Sequence, residues 1–87
     1  MKLDIMGTVI ALEDMGVALM MSATEEGVIW EGTKDGAEYT VFVGEDGNWR
    51  VIVTDEENLQ VITTDPLTGE VWFPFGATDL PDWVKVW

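Results

Sequence analysis

The chain predicts an all-β fold: a small antiparallel meander, sheet or barrel, of six to eight strands. A short N-terminal helix is the accompanying option and would make the fold α+β. Two observations predict this. Tetrads suited to tight turns begin at residues 13, 24, 33, 44, 55 and 66, stepping by 11, 9, 11, 11 and 11. Each closes on Gly or Asn, the residues that accept positive φ at least cost, and short strands joined by hairpins repeat at this spacing. The runs between the turns alternate and are rich in β-branched and aromatic residues, which suit a pleated surface.

Taken in order, residues 3–12 read as a first strand that turns at Glu13-Asp14-Met15-Gly16 and returns over 17–23. In that return strand Val17, Leu19 and Met21 share one face. A helix is the rival for 3–12. Starting at Thr8 it has no clean apolar stripe, and Gly7 and Gly16 cost about 1 kcal/mol each relative to Ala. Ser22 with Glu25 resembles a capping box for a second short helix, but Gly27 and the β-branched pair Val28-Ile29 oppose it. Residues 28–32 form a strand, followed by strands near 37–43, 48–54, 59–64 and 70–75. Asp35-Gly36 and Asp46-Gly47 each precede an aromatic and an alternating valine run, as in two hairpins of one meander. After Phe75 the pattern breaks into a loop or single helical turn over 76–82, with Asp79 as its cap and Pro81 in its first turn. Trp83-Val84-Lys85-Val86-Trp87 alternates again and suits a last strand that pairs with the N-terminal edge and closes a barrel. No linker or second composition is visible, so residues 1–87 read as one domain.

Composition narrows function by exclusion. With 87 residues the core is small, burying roughly 60–65% of the unfolded surface. There is no Cys and no His, which removes thiol and imidazole nucleophiles, disulfides, and zinc held by nitrogen or sulfur. Arg50 is the one arginine and Lys2, Lys34 and Lys85 the three lysines, too few for phosphoryl-transfer machinery. No Gly-rich nucleotide motif is present. Carboxylate-pair glycoside chemistry has no distinguishing signature among so many acids. Asp55, Glu56, Glu57 and Asn58 lack the spacing and central Gly of an EF-hand loop. The expectation is a non-enzyme without cofactor or resident metal. Met1-Lys2-Leu3-Asp4 opens no signal-peptide h-region. The apolar stretch Ile5–Met21 is broken by Glu13, Asp14 and two glycines, so a soluble, cytoplasmic protein is expected.

Charge is the outlying feature. Seventeen acids face four bases, a net charge of −13. Such a field opposes nucleic acid and anionic membranes and attracts basic surfaces. In a meander, alternate turns share an end of the sheet. One rim then gathers Glu13, Asp14, Asp35, Asp55, Glu56 and Glu57; the other gathers Glu25, Glu26, Glu45, Asp46 and the nearby Asp65. Exposed turns are commonly charged, yet a solvated surface mixes both signs. Two explanations address the bias: life in high salt, or presentation of carboxylates to a basic partner in the way a DNA backbone presents phosphates. In size and charge the chain resembles small acidic inhibitors of phages and mobile elements, such as uracil-DNA glycosylase inhibitors and anti-CRISPR proteins. That resemblance is one of composition and no motif carries it.

Five tryptophans add a second theme. Strands 37–43 and 49–54 are apolar on both faces, more than one small sheet buries alone. A helix, the terminal segments or a partner must cover the second face. Phe73, Phe75, Trp83 and Trp87 form a candidate aromatic anchor, as buried aromatics dominate interfaces. The leading expectation is a non-catalytic acidic binding protein that occupies the basic nucleic-acid site of a partner. Its expected contact residues are Glu13, Asp14, Asp35, Asp55, Glu56, Glu57, Trp72, Phe75, Trp83 and Trp87. The alternatives are a self-associating assembly module, such as a homodimer through the apolar face, and a small halophile-adapted domain.

Overall fold

The computed structural model describes residues 2–45, 49–54, 59–65, 67–75 and 80–87. One helix, α1 (Ile5–Asp14), is followed by six strands: β1 (Met20–Thr24), β2 (Gly27–Lys34), β3 (Ala37–Gly44), β4 (Trp49–Thr54), β5 (Leu59–Thr64) and β6 (Val71–Phe75). The strands form one sheet in the order β1-β2-β3-β4-β5-β6, every pair antiparallel. The predicted all-β meander is therefore the observed architecture, with one short N-terminal helix.

The first hairpin is corrected. Residues 5–14 are helical, and strand β1 begins only at Met20. Three local features impose this. Asp4 caps the helix: its Oδ1 accepts the Gly7 N–H at 3.0 Å. At the far end the Val17 N–H reaches the Leu12 carbonyl at 3.0 Å and the Gly16 N–H the Glu13 carbonyl at 3.0 Å. That is a Schellman stop, with Gly16 in the left-handed region at φ 97°. The buried pair Leu12 and Val17 forms the apolar contact that accompanies such a stop. Third, the sheet needs a second layer, and α1 supplies it.

The Ser22–Glu25 capping box does not operate. Thr24 shapes the turn instead, its Oγ1 accepting from the N–H groups of Glu26 and Gly27, each at 3.2 Å. The β2–β3 turn has positive φ at both central residues, Asp35 (52°) and Gly36 (83°). It is thus a primed two-residue turn, the kind whose twist matches that of the flanking strands.

The register sorts the two sheet faces. Met21, Trp30, Val41, Val51 and Ile62 lie in one row across β1 to β5. Val41, Val51 and Ile62 join Leu3, Val9, Leu12, Val17 and Val84 in the core. This face is covered by α1 and the C-terminal segment. The opposite row is Ser22, Ile29, Phe42, Arg50, Thr63 and Trp72. None of these six belongs to the core or packs against it.

The C-terminal segment does meet the N-terminus, as expected. Leu3 bridges Val86, the Trp87 N–H donates to the Lys2 carbonyl at 2.7 Å, and the Asp4 N–H to the Lys85 carbonyl at 2.8 Å. Lys2 in turn bridges Glu70 beside β6. The expected barrel does not close: this bridging lies on the β6 side, and among the described residues nothing pairs with the outer side of β1 at the other edge.

Candidate functional site

The acids group by the ends of the sheet. The β1–β2 and β3–β4 turns are neighbours, since the Glu45 N–H donates to the Glu26 carbonyl at 3.0 Å. Glu25, Glu26 and Glu45 therefore share one end, and the meander brings Asp65 to the same end. Asp65 has a structural task there: its Oδ1 accepts from the N–H groups of Leu67 (2.8 Å) and Thr68 (3.3 Å) and shapes the β5–β6 connection.

At the other end, Asp35 sits in the β2–β3 turn. The preceding residue, Lys34, donates its Nζ to the Met15 carbonyl at the tail of α1. Glu13 and Asp14 thus arrive at the same end as Asp35, but on the last turn of a helix instead of a hairpin. Glu13, Asp14 and Asp35 are all exposed. Asp55, Glu56 and Glu57 lie outside the described residues, as does Asp46.

The cations do little to offset these acids. Lys34 is committed to the helix tail, where a lysine satisfies a terminal carbonyl and the helix dipole. Lys85 donates to the Asp82 carbonyl at 2.8 Å. Arg50 lies over the Phe42 ring, with Cζ 5.5 Å from the centroid. Among the described residues, Glu13, Asp14, Glu25, Glu26, Asp35 and Glu45 have no ion-pair partner.

The expected aromatic anchor is not gathered in one place. Trp83 is half-buried on the covered side and meets Tyr39 edge to face, centroids 5.7 Å apart at 82°. Phe73 packs against the core. Trp72 stands on the open face, 59% exposed, and Trp87 lies beside Lys2 and is 81% exposed. The side chain of Phe75 is outside the described part of the chain.

Two expected residues do come together. A groove of about 650 Å³ between the tail of α1 and the C-terminal segment is lined by Ala11, Asp14, Met15, Pro81, Asp82, Trp83 and Lys85. It puts the Trp83 ring in one lining with Asp14, Asp82 and Lys85 at the helix-tail end. Met15, Asp82 and Pro81 were not among the expected contact residues; only the fold joins positions 11–15 to 81–85.

Arg50 was also not expected as a site residue. Its alternation with the core residue Val51 places it on the open face, among Ile29, Phe42, Ile52, Val61 and Trp72. No helix among the described residues is long and apolar enough to cross a membrane. No group of three or more carboxylates among them is arranged to hold a metal ion. Comparison with protein-family models, with curated proteins and with solved structures finds no match.

Proposed function

We propose that this chain is a non-catalytic acidic binding protein that occupies the basic, nucleic-acid-binding surface of a partner protein. The observation that carries the reading is the uncompensated helix-tail end. Glu13, Asp14 and Asp35 are exposed there, and the two cations at this end, Lys34 and Lys85, are each committed to a backbone carbonyl. A basic surface that grips phosphates gains from such a carboxylate set, because each side loses a self-repelling field on contact. The adjoining groove with Trp83 supplies apolar area next to the charge, the combination of anchor and steering that protein interfaces use. Carboxylates contribute speed and selectivity, so association is fast and weakens with salt.

The test is capture from nuclease-treated source lysate on the immobilised chain, followed by elution with duplex DNA. A nucleic-acid-handling protein that elutes with DNA, and that the variant Glu13→Lys/Asp14→Lys/Asp35→Lys fails to retain, is the expected result. Retention unchanged by that triple reversal, or a bound protein indifferent to DNA, would overturn the reading.

A further inference from the structure

We infer that β1 is a docking edge for a second copy of this chain, pairing antiparallel with its own counterpart and joining two six-stranded sheets into one. This inference is independent of the acidic end and does not require a basic partner.

The two edges of the sheet are built differently. Strand β6 carries Pro74, which has no N–H to offer, and a register irregularity faces it between Val61 and Thr63. The Lys2–Glu70 bridge lies beside it. Proline, irregular pairing and an added segment are the usual devices that blunt an edge. Among the described residues, strand β1 has none of them. All five of its residues are exposed, Met20 at 77% and Met21 at 63%, and none is charged.

The backbone of β1 is ready for a partner strand. Its two-residue connection, Glu25-Glu26, makes Thr24 and Gly27 a hydrogen-bonded pair. By the alternation of an antiparallel ladder, the N–H and C=O groups of Met21 and Ala23 then point away from β2. A two-fold axis through Ser22 sets Met21 opposite Ala23 of the second copy and Ser22 opposite Ser22. Four inter-chain hydrogen bonds form between the outward groups, and a large side chain meets a small one.

The uncharged edge fits a second copy of itself, uncharged over the same five residues. Met15–Thr24 is the longest uncharged run in a chain of net charge −13. The five residues of β1 themselves offer a basic strand no carboxylate to pair with. The nearest acids are Glu31, exposed on β2 opposite Met20, and Glu25 and Glu26 at the other end of β1; antiparallel pairing carries the two Glu25-Glu26 pairs to opposite ends of the junction. At about 3.4 Å per residue they sit roughly 20 Å apart, well beyond the Debye length of about 8 Å at physiological salt. Each Glu31 lies two strand spacings, about 10 Å, from Glu25 of the second copy; salt screens this repulsion and so strengthens the contact, whereas salt weakens binding of a basic surface.

The test uses the full chain in sedimentation and a cysteine pair in a protein that has no other cysteine. Mass should rise with protein concentration from 9.7 kDa toward twice that value. The association should tighten severalfold between about 0.01 M and about 0.15 M salt, as the Debye length falls from about 30 Å to about 8 Å. Ser22→Cys should cross-link readily on mild oxidation, since non-hydrogen-bonded cross-strand positions bring Cβ atoms close. Thr24→Cys, opposite Met20 of the second copy, should not. Ala23→Pro removes an outward donor without touching the β2 ladder; it should weaken the dimer about tenfold through two symmetry-related hydrogen bonds, with an unchanged circular dichroism spectrum. A monomer under all these conditions overturns the inference. So does equal cross-linking at positions 22 and 24.

Discussion

At the scale of single residues, the helix is held by positions that look unremarkable in the chain. Thr8 is fully buried, and its hydroxyl donates to the Asp4 carbonyl at 2.8 Å while accepting the Lys85 N–H at 3.0 Å. One hydroxyl thus ties the first turn of α1 to the C-terminal segment. Thr8→Val keeps the shape and strands the Lys85 N–H, so it should destabilise by about 1–3 kcal/mol, read by thermal or urea unfolding. Gly16 ends the helix with a φ of 97°, where an L side chain is strained. Gly16→Ala should cost about 1–2 kcal/mol. Gly32 matters for a steric reason instead. A Cβ there would lie 2.5 Å from the Ala18 carbonyl oxygen and 2.9 Å from the Val17 side chain. The chain leaving α1 passes over β2 at this point, and only a missing side chain lets it. Gly32→Ala should therefore destabilise by about 1–3 kcal/mol and loosen β1, visible as faster amide exchange in Met20–Thr24.

At the scale of elements, strands β2 to β5 were legible because turn chemistry and alternation agree on them. The expected 37–43 and 59–64 meet the observed Ala37–Gly44 and Leu59–Thr64 almost end to end. The helix was harder to read because its outer face is also apolar. Ile5, Thr8, Val9 and Leu12 make a stripe at helical spacing, but one member is a threonine, and Met6 and Ile10 are each 55% exposed on the other side. Periodicity is flat in such a run, and a helix begun at Thr8 misses both Asp4 and the stripe. The punctuation was informative nonetheless: an Asp before the run and a Gly two residues after it mark a cap and a Schellman stop. Asp4→Ala should remove the cap and cost about 0.5–2 kcal/mol. Far-ultraviolet circular dichroism should show the loss as helix fraying ahead of the main unfolding transition. A single cooperative transition at the wild-type midpoint would show that packing alone holds the first turn.

At the scale of the whole molecule, the acidic bias was legible and its geometry only partly so. Turn alternation brought Asp35 and Glu25, Glu26 and Glu45 to their correct ends. Glu13 and Asp14 reached the expected end by another route, through the Lys34 contact to the tail of α1. The dispersal of Trp72, Trp83 and Trp87 was not legible, because face assignment depends on strand registers and on where residues 80–87 run. The net charge of −13 acts on all of these at once. Four bases cannot neutralise it locally, and at least three are engaged with a carbonyl or a ring. The folded state must concentrate that charge within a radius of gyration of 12.1 Å, so folding works against self-repulsion that salt screens. If screening is the whole effect, the melting temperature should climb between about 0.01 M and about 0.15 M salt and level off by about 1 M, where the Debye length is already near 3 Å. Sodium and potassium chloride should then act alike at equal ionic strength. Halophile adaptation requires a different curve: little structure at low salt, and stability still rising in molar salt after screening is complete. Melting curves over that range separate the two. Glu13→Lys/Asp14→Lys, which reduces the net charge and leaves the positive-φ turn residue Asp35 in place, should raise the low-salt melting temperature and flatten the climb. If this double variant melts lower in dilute buffer, the helix-tail carboxylates have a structural task and self-repulsion is not what limits stability there.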